Sequence, residues 1–182
     1  GAAKPLRPPF PRSSSRTLTR RPNLSRLWSE DMARRKSTGL LMVWCEVPED
    51  KEEEFNRWYN EEHLAERLSV PGLLSAARYE AVSSGPKHLA VYELESPAVM
   101  ESPGYLEIRR APTEWSKRMS PEIIGTVYIR NVYDQVHPSA VSDETAESPM
   151  APVLQIGRMD IPPKTEPEWN HWYNTVYVPN YE

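Results

Sequence analysis

The chain has 182 residues, of which 38% are hydrophobic and 26% charged, an ordinary composition for one or two small domains. A single cysteine, Cys45, excludes an internal disulfide, and no stretch approaches the roughly 18 consecutive apolar residues that span a bilayer. The formal net charge of -4 is unevenly placed: residues 1–37 hold ten Lys/Arg against Glu30 and Asp31, and the rest is acidic enough to repel nucleic-acid phosphate.

Residues 1–38 read as a disordered basic N-terminal extension, rich in Arg, Ser and Pro and poor in apolar periodicity. Mitochondrial transit peptides have a similar Arg/Ser-rich, acid-poor character, but Pro5, Pro8, Pro9 and Pro11 break the amphipathic helix they need. A lone cysteine suits a reducing compartment, so the expected location is cytoplasmic, or mitochondrial should the extension be a transit peptide. No membrane and no nucleic-acid partner is expected.

Residues 39–137 read as one α+β unit. Leu40 to Val47 is an apolar run stopped by Pro48, which predicts a strand. Glu49, Asp50 and Glu52 then place acids at a helix start, where the dipole favours them, and the helix runs from about Lys51 to Leu68. Its apolar face carries Phe55, Trp58, Tyr59 and Glu62 at 3.6-residue spacing, and Pro71-Gly72 ends it. Leu73–Val82 and His88–Glu95 form a hairpin around Ser83-Ser84-Gly85-Pro86. A second helix, interrupted at Pro112, and a strand from Ile123 to Val136 complete the order β-α-β-β-α-β. That order is the ferredoxin-like split βαβ unit, a four-stranded antiparallel sheet with both helices on one face. The other face of such a sheet needs a cover, and a second sheet is the natural one.

Residues 138–151 read as a polar, proline-bearing linker, and residues 152–182 as an incomplete second repeat. Trp58-Tyr59-Asn60 recurs as Trp172-Tyr173-Asn174, and the same constant offset pairs Pro48 with Pro162, Glu52 with Glu166, Glu54 with Glu168 and Asn56 with Asn170. Val153 to Ile161 stands where the first strand stood, and the helix follows. Half a unit cannot close a core of its own, so a continuation of roughly 60 to 70 residues is expected from the repeat length.

The strand, then Glu54-Phe55-Asn56-Arg57-Trp58-Tyr59-Asn60-Glu61-Glu62-His63, then Val70-Pro71-Gly72 and a strand bearing Arg78-Tyr79, resembles the dimeric α+β barrel superfamily, and within it the ethyl-tert-butyl-ether-degradation protein D (EthD-like) group. The resemblance spans about residues 40–136 and again 153–182. It implies a barrel of two ferredoxin-like units, from a homodimer or an intrachain pseudo-dimer. Relatives include cofactor-free monooxygenases of aromatic polyketides, muconolactone isomerase, polyketide cyclases, dehydratases and haem-degrading enzymes, so the fold does not settle the reaction. The helix histidine, here His63, is implied as the acid–base group facing a cleft between helix and sheet. In the second copy Tyr177 stands at its place and Val176 at that of Glu62.

On the residues themselves, Glu62 is the odd member of an aromatic face. Buried there, it is paired or holds a proton and becomes a candidate acid or base; near the helix end, it reaches water or an arginine such as Arg78. His63 reads either as a structural or surface histidine or, with Tyr59 four residues before it, as an oriented imidazole. Trp58 and Tyr59 are packing residues by default and, with Trp44, Arg78 and Tyr92, the candidate substrate contacts. Cys45 in a strand reads as core. The four histidines have no ligand spacing, and there is no G-x-G-x-x-G, Walker A or G-x-S-x-G pattern, so no metal and no cofactor is expected. The functional expectation is an enzyme acting on a small apolar or aromatic, polyketide-like molecule by acid–base chemistry, as a lyase, isomerase or cofactor-free oxygenase. The alternative is a non-catalytic binder of a small hydrophobic ligand.

Overall fold

The computed structural model describes residues 37–137, 143–144 and 148–181, so residues 1–36 of the expected disordered extension and residues 138–142 and 145–147 of the linker lie outside the described residues. The first strand, β1, spans Gly39–Glu46; Pro48 precedes the helix α1, Glu49–Trp58, whose first turn carries Glu49, Asp50 and Glu52. The helix continues through a π turn, Tyr59–His63, into α2, Leu64–Leu68. The hairpin is β2, Leu73–Glu80, and β3, His88–Leu94. Gly72 enters β2 at φ 91, a backbone conformation open to glycine and costly for side chains.

The second helical layer is broken into short pieces. A 3-10 turn at Pro97–Glu101 leads to α3, Pro103–Arg110, then α4, Ser116–Met119, and α5, Pro121–Ile124. Proline starts three of these four, because its fixed φ suits the first turn of a helix and its missing N–H ends the element before it. The final strand β4 is Val127–Asp134, shorter than the expected 123–136, since Pro121 draws residues 121–124 into a helical turn.

The sheet order is β2-β3-β1-β4, with every described pairing antiparallel. This is the ferredoxin-like α+β arrangement expected. On one face Leu41, Val43 and Cys45 of β1 and Ala90, Tyr92 and Leu94 of β3 meet Phe55, Trp58 and Tyr59 of the helix, with Tyr105 and Met119 closing the layer. Phe55 and Trp58 are fully buried, and each such side chain stabilises the fold by about 1.5–3 kcal/mol through burial. Burial holds the Cys45 thiol up at about 11, so it stays protonated core.

The opposite face carries Met42, Trp44, Leu89 and Val91. Part of its cover is the end of the linker and the chain after it: Met150 packs on this cluster, the Tyr79 hydroxyl donates to the Ala151 carbonyl at 2.8 Å, and the Arg158 guanidinium lies 5.0 Å over the Trp44 ring. Residues 153–161 were expected as a strand, yet none is formed there. A strand needs an adjacent backbone edge, and this segment crosses a sheet face instead. The second Trp-Tyr-Asn segment forms α6, Glu166–Trp172, a π turn, Tyr173–Tyr177, and a 3-10 turn, Val178–Tyr181. No described helix is long and apolar enough to cross a membrane.

Candidate functional site

The π turn decides which side chains face the sheet. In an α-helix Glu62 shares the face of Trp58 and Tyr59; a π turn inserts one residue and advances the next one onto that face. His63 therefore takes the inward place. Its ring lies 4.3 Å from Trp58 and 4.8 Å, edge-on, from Tyr59. Arg67 follows one turn later on the same side.

His63 and Arg67 border a cleft of about 270 Å³ between the helix layer and the sheet, together with Tyr59, Tyr92, Tyr105 and Arg130. Tyr92 donates to the Tyr59 hydroxyl at 3.3 Å in the buried layer. Burial holds both phenols protonated: Tyr59 rises to about 12, and Tyr92 lies well above its ordinary 10. Arg130 donates to the Tyr105 hydroxyl at 3.1 Å, and Arg67 lies 5.5 Å over the Tyr105 ring.

His63 is held neutral. Burial is the main cause, with the positive charges of Arg67 and Arg78 adding to it, and the imidazole falls well below its ordinary 6.5. Its Nδ1 lies 3.9 Å from Glu66 Oε2, and the same oxygen lies 3.9 Å from Arg67 Nη2. His63 Nδ1, Glu66 Oε2 and Arg67 Nη1 are all buried without a hydrogen-bond partner among the described residues. Burial raises the Glu66 carboxyl, opposed by Arg67 and aided by Glu62. The acid beside the imidazole is thus Glu66, one turn on.

Glu62 does not line the cleft. Its Oε1 accepts from Thr113 Oγ1 at 2.5 Å and Ser116 Oγ at 3.3 Å, and Ser116 Oγ in turn accepts from Trp58 Nε1 at 3.2 Å. The expected acid–base carboxylate is instead a tie between the helix and residues 113–116. Trp44 is corrected as a cleft residue: β1 is apolar on both faces, and Trp44 points to the far one, opposite Val43. Arg78 is on the helix side but outside the cleft, 4.5 Å over the Tyr59 ring and bonded to Asn56 Oδ1 at 2.7 Å and Asn60 Oδ1 at 3.0 Å. Trp58, Tyr59, Tyr92 and His63 do line it.

Arg67, Tyr105, Tyr128 and Arg130 are among the lining residues that sequence reasoning does not name. Arg67 stands four residues after His63, a helical spacing that marks it. Tyr128 and Arg130 alternate on β4, and Arg130 pairs across from Val43, so strand parity places both on the helix side. Tyr105 lies in a proline-broken helix whose facing the pattern does not reveal.

No protein family matches the chain, nor does any curated protein. Several solved structures do. A dimeric ferredoxin-like protein from an uncultured marine organism is similar at 17% identity and a TM-score of 0.45, over 60% of this chain and 97% of its own. An EthD family protein from Bacillus halodurans gives 15% and 0.40, over 53% and 97%. The haem degrader MhuD from Mycobacterium tuberculosis, solved with two haems in its active site, gives 15% and 0.40, over 54% and 95%.

Proposed function

We propose that the cleft beneath the first helix takes a small aromatic, polyketide-like molecule and that His63 removes a proton from it. The observation that carries this reading is a buried neutral imidazole bordering a cleft, beside two further buried polar atoms that lack partners among the described residues. The imidazole is unprotonated at neutral pH, the form a general base needs, and because its surroundings lower its proton affinity it relies on substrate acidified by nearby positive charge. Arg67 and Arg130 border the same space and stabilise the negative charge that forms on a phenolate or enolate oxygen. Glu66, 3.9 Å away on the Nδ1 side, supplies a carboxyl that stabilises the imidazolium once formed. Tyr59, Tyr92 and Tyr105 supply flat apolar walls with polar tips. The reaction is of the lyase, isomerase or cofactor-free oxygenation kind, with proton abstraction as the common step.

The assembly we propose is a homodimer or pseudo-dimer through the sheet face that carries Trp44, since a second sheet completes the cover that residues 150–158 begin. Sedimentation at several concentrations tests that part.

The functional test is turnover of polycyclic phenols and anthrones, followed by absorbance, with binding read by intrinsic tryptophan fluorescence. Turnover by the wild type that is lost in His63→Ala while binding persists supports the reading. Full turnover in the variant overturns it. Fluorescence quenching by the wild type with no product assigns the cleft to ligand storage.

A further inference from the structure

At the far end of the first helix from His63, three side chains from three elements converge: Glu52 from the first turn of α1, Glu80 from the end of β2 and His88 from the start of β3. Glu80 and His88 face each other across the hairpin ladder, which fixes their spacing. One donor atom from each residue lies within 4.8 Å of the others. His88 Nε2 is 3.7 Å from Glu52 Oε1.

His88 makes this more than a patch of acids. It is 3% exposed, and neither Nδ1 nor Nε2 has a hydrogen-bond partner among the described residues. A buried imidazole gives up its hydration, and here the described residues return no hydrogen bond for it. The ring lies 5.2 Å from the Phe55 ring, which separates it from the cleft, and none of the three residues lines that cleft.

We propose that Glu52, Glu80 and His88 form a binding site for a divalent transition-metal ion, with zinc the fitting probe. Imidazole nitrogen and carboxylate oxygen are the donors zinc takes, at about 2.0–2.2 Å. Two such donors on one tetrahedral ion stand about 3.4 Å apart. The observed His88–Glu52 separation needs a few tenths of an ångström of closing, and Glu80, exposed at the strand end, is free to swing in. Three protein donors leave the remaining positions to water. The ion must displace Lys87, whose Nζ is paired with Glu52 Oε1 in this structure, and it must tolerate the positive charge of Arg78 nearby. No short sequence motif marks the site, because its donors come from a helix and two strands, and only hairpin register and helix docking bring them together.

Isothermal titration of the full chain with zinc chloride tests this, with cobalt(II) absorption as a second readout of the ligand set. The expected result is one zinc per chain, with affinity reduced by at least about 10-fold by Glu80→Gln and by Glu52→Gln, since loss of even an outer-shell partner costs roughly 10- to 100-fold. Lys87→Met should tighten binding by removing the competitor. Glu80 is exposed, so Glu80→Gln keeps the fold and carries the test even where a His88 variant fails to fold. Absence of zinc binding, or equal affinity in wild type and Glu80→Gln, overturns the proposal.

Discussion

The helical runs over residues 49–68 and 166–181 contain the same Trp-Tyr-Asn word and the same π turn, yet they live in different surroundings. In the first, the ring at the end of the turn, His63, lies 4.3 Å from Trp58; in the second, Tyr177 lies 5.2 Å from Trp172. Trp58 is 0% exposed and Trp172 is 44% exposed. Local sequence therefore sets the backbone path and the ring-on-ring contacts, while the sheet beneath sets the burial. The chemistry follows the burial. An imidazole under a sheet and beside two guanidinium groups is a different reagent from a phenol on a surface.

The largest expected effect separates the two tryptophans. Trp58→Ala should cost about 3–5 kcal/mol in denaturant unfolding, because it empties a fully buried site and leaves Ser116 without its indole donor. Trp172→Ala should cost about 1 kcal/mol or less. Equal costs would mean that both helices are packed alike in solution.

Next comes the tie made by Glu62. Glu62→Val, which installs the residue found at the matching place in the second run, removes the acceptor of Thr113 and Ser116 and should cost about 1–3 kcal/mol. Turnover per folded molecule should hardly change. A loss of turnover larger than the loss of folded protein would return Glu62 to the proton-transfer role.

A smaller effect is read in pH. The His63 and His88 imidazoles are both lowered by burial from an ordinary 6.5, so below that pH the unfolded chain takes up protons that the folded chain refuses. Stability should be flat above about pH 6.5 and fall as pH drops below it, by up to about 1.4 kcal/mol per pH unit for each histidine. His63→Gln should shallow that slope, and Tyr177→Phe should not. A stability curve unchanged by His63→Gln would show that the imidazole titrates normally and is not buried.

The fold was legible because punctuation carried it. Pro48, Pro71-Gly72 and the Ser-Ser-Gly-Pro turn bound elements whose order admits few topologies. Facing was harder. β1 is apolar on both sides, so alternation could not assign Trp44 or Val43, and only pairing with β3 and β4 does so. Glu62 was misplaced by a sound rule, because 3.6-residue spacing assumes an unbroken α-helix and a π turn leaves no mark in residue type. The strand expected at 153–161 failed for another reason: apolar residues specify a preference, and only a neighbouring edge turns that preference into a ladder.

The indole N–H of Trp58, closed in by Ser116 and so by the Glu62 carboxylate, has a spectroscopic use. It is a single proton sealed at the joint between the roof and wall of the cleft. Its rate of exchange with deuterium in an NMR experiment times how often that joint parts, giving a clock for the admission of any guest before the guest itself has been identified.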